Sequence, residues 1–135
     1  MQDRPTYEEL LAAIERFLDE EIVPNTPGAR AFHARVAANA IRTIRRELDS
    51  EERQLAAEWT GLDGLLGPAE RPGSRAALRD LIVARNSELC ERIRAGEADH
   101  GLFRERVLEQ VRRTVSDKLL VSNPQLLQRS GGQSN

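Results

Sequence analysis

Three polar side chains lie among the apolar positions of two predicted helices, where they could form a small ligand-binding pocket. At about 100° per residue, His33 points to the centre of an apolar stripe, and Asn39 lies on the shoulder of that stripe. Arg85 points into the apolar stripe of another predicted helix. A buried guanidinium needs acceptors or an anion, because an unpaired charge in a protein interior is strongly destabilising. The pattern predicts a polar pocket around His33, Asn39 and Arg85 that binds a small molecule or an anion.

The same positions also fit a structural network without a ligand, which is the commoner arrangement of buried polar groups. In that network Arg85 pairs with an acid such as Glu15 or Glu47, and His33 bonds to a backbone carbonyl. A helical projection is accurate only to a few tens of degrees, so Arg85 could instead extend its head group into solvent. The sequence leaves these alternatives open.

Other arrangements that support chemistry are incomplete. Glu97 and His100 have the spacing of a helical di-iron motif, but such sites need the motif twice, with further Glu ligands. Residues 61–67 repeat glycine at every third position without the Lys-Ser or Lys-Thr of a phosphate-binding loop. Cys90 is the single cysteine and is expected to be a semi-buried structural thiol. We therefore predict no catalytic residue, no metal site and no cofactor.

Five amphipathic segments position these side chains. Each repeats apolar residues every three or four positions, which is the spacing of one helix face. They extend over residues 7–23, 27–48, 51–66, 75–95 and 101–122. Their ends carry local signals: Thr6 and Glu9 form a capping box, Pro27 stands at a first helical position, and Gly67 with Pro68 ends a helix.

These segments predict the fold class. Amphipathic helices with short connections pack into a bundle, because each must hide one apolar face from water. The prediction is an all-α protein, with a single bundle of about five amphipathic helices forming one domain over residues 1–127. The polar stretch 128–135 is predicted to be a flexible C-terminal tail.

Charge is unevenly distributed between the first two helices. The acidic segment, Asp3 to Glu21, has seven acids and two arginines, and the basic segment, Arg30 to Glu47, has five arginines and one acid. Their formal charges are −5 and +4. We predict that these two helices are antiparallel neighbours. Exposed pairs of this kind would select helix partners more than hold the fold, because each contributes only about 0–1 kcal/mol.

Composition and charge exclude several classes of partner. The 135-residue chain has a net charge of −2, so it has no overall attraction for nucleic acid. The arginines of the second helix have no interleaved aromatic residues, and we predict no nucleic-acid partner. No apolar run approaches the length of a membrane span, and the N terminus lacks a signal-peptide pattern. We predict a cytoplasmic protein without a membrane partner.

Apolar residues are more numerous than a lone bundle needs. Leu120, Val121, Leu126 and Leu127 lie off the stripe of the last helix, and Val83 lies off that of the fourth. Either the C-terminal segment folds back over the bundle, or a second protein covers it. We predict a protein partner or self-association, and favour a homodimer because symmetric pairing is the commonest form of oligomer.

One stretch of the second helix resembles a known family. Residues 32–40 read FHARVAANA, and with DRPT at 3–6 and SNP at 122–124 they resemble an uncharacterised bacterial family of small all-helical proteins, a domain of unknown function. Such domains sometimes accompany aminoglycoside-phosphotransferase-like kinases or acyl-CoA dehydrogenases. The resemblance implies a partner of an enzyme that acts on acyl-CoA or phosphorylated substrates. It also implies that Arg35 belongs with His33 and Asn39 among the candidate ligand-binding residues.

Two functions therefore follow from the sequence. The first is a non-enzymatic helical interaction or accessory protein. The alternative is a small-molecule or anion-binding protein, with enzymatic activity left open, whose pocket surrounds His33, Asn39 and Arg85.

Overall fold

The computed structural model describes the backbone of residues 4–131 and the side chains of residues 4–128. Helices account for most of this part of the chain, which contains no β-strand. The prediction of an all-α fold is confirmed. In chain order the elements are α1 (Tyr7–Phe17), a π-helical turn (Leu18–Ile22), α2 (Val23–Asn25), α3 (Ala29–Leu66), α4 (Arg75–Arg94), α5 (Gly101–Ser122) and α6 (Pro124–Gly131).

Local capping residues set the starts of two helices, and the cap of α1 was predicted. The Thr6 hydroxyl accepts a hydrogen bond from the Glu9 backbone N–H at 3.2 Å, and the Glu9 carboxylate accepts one from the Thr6 N–H at 2.9 Å. Ser74 caps α4 by accepting from the Ala77 N–H at 3.2 Å. Such bonds satisfy backbone donors that have no partner within the first turn of a helix.

Helix α3 is continuous over 38 residues, so the predicted break between Asp49 and Ser50 is wrong. The break was predicted because a serine followed by acids is typical of a helix start. Between Gly28 and Gly61, however, the sequence contains neither proline nor glycine. Nothing in the backbone therefore interrupts the helix, and Ser50 is a buried interior residue of α3.

The chain divides into two compact units. Unit 1 is Met1–Asp49 and contains α1, the π-helical turn, α2 and the first part of α3, whereas unit 2 is Ser50–Asn135. The predicted single domain over residues 1–127 stays a prediction, as does the flexible tail. Of that tail, residues 128–131 belong to α6, and residues 132–135 lie outside the described part of the chain.

Unit 2 has a core of large apolar side chains from three helices. The buried members of this core are Trp59, Leu62 and Leu65 of α3, Leu78, Ile82 and Leu89 of α4, and Val107 of α5. Helices α3 and α5 approach closely at Gly61, where a Cβ atom would overlap the side chain of Gln110. The glycine thus provides the space that Gln110 occupies.

A buried acid links α3 to α4 within unit 2. One carboxylate oxygen of Glu51 is 3.1 Å from Nη1 of Arg75, and the other is paired with Arg79. Two guanidinium groups on successive turns of α4 therefore compensate one buried charge, which would be costly if it were unpaired.

Unit 1 buries a different face of α3 from the one predicted. Its buried apolar residues on α3 are Ala31, Ala34 and Ala38, whereas His33, at the centre of the predicted stripe, is exposed together with the larger apolar residues Val36 and Ile44. The prediction failed because both faces are apolar in sequence, one with small and the other with large side chains. Periodicity identifies an apolar face without showing which of two such faces is covered.

Candidate functional site

Large apolar side chains of unit 1 are exposed on both of its main helices. Eight of them, in one row on α1 and another on α3, make up what we call the apolar face of unit 1, and each is 41–60% exposed. On α1 they follow spacings of three and four residues, so they share one side of the helix. The members are Tyr7, Leu10, Ile14 and Phe17 of α1, with Phe32, Val36, Ile44 and Leu48 of α3.

Ion pairs join α1 and the π-helical turn to α3 in unit 1. The carboxylate of Glu15 accepts from Nε of Arg42 at 2.9 Å and from Nη1 of Arg45 at 2.5 Å. Asp19 accepts from Nη2 of the same Arg42. The opposite charges of the two helices therefore meet, which confirms their predicted pairing.

Arg42 is the centre of this network. Burial acts to lower the pKa of its guanidinium, but the hydrogen bonds and negative charges of Asp19 and Glu15 outweigh burial and raise that pKa above its usual value. Nη1 of Arg42 also donates to the side-chain carbonyl of Asn39 at 2.6 Å. A permanently charged group thus fixes Glu15 of α1, Asp19 of the π-helical turn and Asn39 of α3 in place.

This arrangement explains why the apolar face is exposed. Positions 31, 34, 38, 42 and 45 of α3 recur every three or four residues and share one side of the helix. The ion pairs of Arg42 and Arg45 place α1 on that side. The larger apolar side chains of α3 therefore point elsewhere.

Three of the predicted ligand-binding residues, His33, Arg35 and Asn39, lie on α3 within unit 1, and all three are exposed. The prediction that His33 lies inside an apolar interior is wrong, because the stripe that contains it is itself exposed. The His33 ring meets the ring of Phe32 edge to face at 5.7 Å. Asn39 is held by Arg42, as described above.

The fourth predicted residue, Arg85, lies on α4 within unit 2, and only 9% of its side chain is exposed. Its Nη2 donates to the carbonyl of Gly67 at 2.6 Å and to that of Leu62 at 3.2 Å. The carboxylate of Asp63 lies 3.2 Å from the same nitrogen, and the guanidinium lies 5.1 Å from the centre of the Trp59 ring. Arg85 therefore belongs to a structural network, with Asp63 in place of the predicted Glu15 or Glu47.

Arg85 is one of three arginines that bind the C-terminal end of α3. Nη1 of Arg92 donates to the Leu65 carbonyl at 3.2 Å, and Nη2 of Arg106 donates to the Gly64 carbonyl. The last carbonyls of a helix have no partner within it and carry a partial negative charge. Sequence reasoning missed this arginine cap, although a glycine-rich helix end followed by arginine-rich helices was a visible signal.

The predicted ligand-binding residues thus fall in different units, His33, Arg35 and Asn39 in unit 1 and Arg85 in unit 2. Their shared role in binding a ligand stays a prediction. Cys90 is exposed, which corrects its predicted semi-burial. Of the surplus apolar residues that the sequence predicted to be covered, Val83, Leu120 and Leu126 are exposed, whereas Val121 is buried.

Within the described residues, no group of three or more His, Cys, Asp or Glu side chains is placed to hold a metal ion. Among the helices formed by those residues, none has an apolar stretch long enough to cross a bilayer.

The described residues define an all-helical protein with a charge-paired helix hairpin in unit 1, a class of fold that does not by itself assign a function. Residues 24–126 match the family described as Domain of unknown function (DUF6285). This match includes more than half of the chain, which therefore belongs to that family. No curated protein and no solved structure matches the chain.

Proposed function

We propose that this chain is a non-enzymatic protein-interaction module, and that the apolar face of unit 1 is its binding surface. The observation that carries the proposal is the exposure of eight large apolar side chains on α1 and α3. Clusters of exposed large apolar side chains are uncommon on isolated proteins and mark surfaces that bind other proteins. Helical modules commonly bind in this way, by packing the apolar face of one helix against another.

The way unit 1 is held together supports this proposal. Glu15 and Asp19 pair with Arg42 and Arg45 on one side of α3, and the eight exposed apolar side chains take no part in these ion pairs. Those side chains are therefore available to a partner. They lie on helices, which hold a binding surface more rigidly than loops do.

The proposal extends to the setting of the protein. The resemblance of residues 32–40 supports a bacterial accessory protein that assists an enzyme acting on acyl-CoA or phosphorylated substrates. The exposed thiol of Cys90, the single cysteine, fits a reducing compartment, and we place the protein in the cytoplasm.

The test compares the wild-type chain with the double variant Ile14→Glu/Ile44→Glu, which adds one charge to each helix of the apolar face. Val83→Glu is the matched control, because Val83 is 66% exposed but lies on α4 in unit 2. Light scattering measures the mass in solution, and affinity capture from the native host, followed by mass spectrometry, measures bound proteins. Circular dichroism verifies that each variant remains helical.

We expect the wild type and Val83→Glu to associate, with themselves or with a captured protein, and the double variant to remain at the 15.1 kDa mass of one chain. If circular dichroism shows that the double variant has unfolded, Val36→Ser replaces it, since this smaller change removes apolar area without adding a charge. The proposal is wrong if two results occur together. The wild type stays at the mass of one chain, and every protein that it captures is also captured by a folded variant of the apolar face.

A further inference from the structure

A groove with a volume of about 420 Å³ lies between α3 and α5 in unit 2. Its α3 side is formed by Gly61, Gly64 and Leu65, and the two glycines contribute no side chain that could fill it. Pockets that bind small molecules have volumes of roughly 300–1,000 Å³. The groove is therefore large enough for a small ligand, and it belongs to a different unit from the apolar face described above.

Gln110 provides this groove with a buried acceptor that lacks a partner. The residue is 5% exposed, and its Nε2 donates to the Glu58 carbonyl at 3.5 Å and to the Thr114 hydroxyl at 3.4 Å. These bonds turn Oε1 toward Gly61, and within the described residues Oε1 has no hydrogen-bond partner. Buried acceptors are rarely left unpaired. Because the terminal torsion of glutamine is broad, a small rotation brings Oε1 to an N–H donor in the groove, so the ligand should carry such a donor.

Charged side chains of α5 form the other side of the groove. Glu105, Glu109 and Arg113 lie four residues apart, so they share one side of the helix. All three are exposed, and within the described residues none of them takes part in an ion pair. With Arg106, the lining contains two acids and two arginines and has no net charge. Such a lining favours a zwitterionic ligand, because a simple anion would also meet the two carboxylates.

The two ends of the groove differ in character. Gly64 lies beside Arg106, and Gly61 lies beside Gln110, so α3 and α5 are antiparallel. The end of the groove near the start of α5 is apolar, because it contains Leu102, whose side chain is 70% exposed. An apolar group of the ligand would cover this side chain, which is otherwise in contact with water.

The distance between the charged groups fits a short peptide. Glu105 lies near the apolar end, and Arg113 lies eight residues, or about 12 Å, further along α5. An extended peptide spans about 3.3–3.6 Å per residue, so about three residues cover most of this distance. We propose that the groove binds a peptide of about three residues with free ends, its ammonium group at Glu105 and its carboxylate at Arg113. Its first side chain is apolar and packs against Leu65 and Leu102, and one backbone N–H donates to Gln110.

The test measures binding of a defined tripeptide, leucyl-alanyl-alanine, to the full-length chain by isothermal titration calorimetry. Two modified peptides remove one charge each, by acetylation of the N terminus or amidation of the C terminus. The protein variants Glu105→Gln and Arg113→Met remove the proposed partners. Arg112→Met and Glu88→Gln are matched controls, because both residues are exposed and neither lines the groove. Circular dichroism verifies that each variant remains helical.

We expect the wild type and both controls to bind the free peptide with the same dissociation constant. Arg113→Met should raise that constant about tenfold, and so should amidation of the peptide, since each removes one charge-assisted interaction. In Arg113→Met the free and amidated peptides should bind equally, because the carboxylate has lost its partner. Acetylation of the peptide and Glu105→Gln should be related in the same way at the other end.

Several results would overturn the inference. One is a wild type that does not bind the free peptide at millimolar concentration. Another is binding that neither Glu105→Gln nor Arg113→Met changes, since the peptide would then bind elsewhere. If only one end of the peptide matters, the zwitterionic ligand is wrong. These results are independent of the proposed function, because the double variant Ile14→Glu/Ile44→Glu of unit 1 should bind the peptide as the wild type does.

Discussion

Glu15 and Arg42 lie 27 positions apart in the sequence, and their side chains meet at 2.9 Å between Oε1 and Nε. This contact, with the second bond from Arg45 to Glu15, decides which side of α3 faces α1. It therefore also decides that the large apolar side chains of both helices are exposed. The exposure of the surface proposed for binding therefore follows from the position of the Glu15 carboxylate.

Removal of the Glu15 charge tests this relationship. The Glu15 side chain is only 18% exposed and accepts from two guanidinium groups that are themselves partly exposed. We expect Glu15→Gln to lower the free energy of unfolding by about 1 kcal/mol, since hydrogen bonds to charged groups are partly weakened by solvent. Urea denaturation followed by circular dichroism measures it. Glu88→Gln, at an exposed acid of α4, is the control, and an equal effect of both substitutions would contradict the assigned role.

Replacement of Arg85 should lower the free energy of unfolding. In Arg85→Met the carbonyls of Leu62 and Gly67 lose their donor and the carboxylate of Asp63 loses its compensating charge, and we expect a loss of about 3 kcal/mol in the free energy of unfolding. Arg94→Met, at an exposed position of the same helix, should change stability by less than about 0.5 kcal/mol. Thermal and urea unfolding provide the comparison. A variant at position 85 that is as stable as the wild type would leave the arginine cap without energetic support.

Gly61 and Gly64 should respond differently to alanine, although they lie three residues apart on α3. A Cβ at Gly61 would overlap Gln110, so Gly61→Ala should destabilise the protein by about 1–3 kcal/mol despite its better helix propensity. At Gly64 the nearest neighbour is the flexible end of Arg106, 3.3 Å from the added Cβ, and alanine should be tolerated.

The cause of the Gly61 effect can be separated with a double-mutant cycle. In a Gln110→Ala background the obstruction is gone, so Gly61→Ala should cost less there than in the wild type, by at least about 1 kcal/mol. If the effects of the two substitutions were additive, the absence of a side chain at Gly61 would not be what allows α3 and α5 to approach closely.

Cys90 should react with a thiol reagent in the folded protein. Its side chain is exposed on α4, so the reaction with a coloured disulfide reagent should be complete without denaturant. The rate in the presence and absence of urea is the measurement. If the thiol reacted only after unfolding, the result would support the semi-buried position that the sequence predicted for Cys90.

The sequence by itself determined features that depend on neighbours within a few residues. The capping box of Thr6 and Glu9 and the bounds of α4 and α5 were predicted because the groups that bond are at most four positions apart. The pairing of α1 with α3 was also predictable, because the two segments carry opposite charges that need no detailed geometry.

Tertiary structure decided the rest. Which face of α3 is covered depends on where Glu15 of α1 and Asp19 of the π-helical turn lie, and α3 has one face of alanines and another of larger apolar residues. The partners of Arg85 could not be predicted from the sequence either. Leu62, Asp63 and Gly67 become neighbours of Arg85 only when α4 packs against the end of α3. Periodicity in the sequence shows that a helix has an apolar side, but only the packing of the folded chain shows what lies against that side.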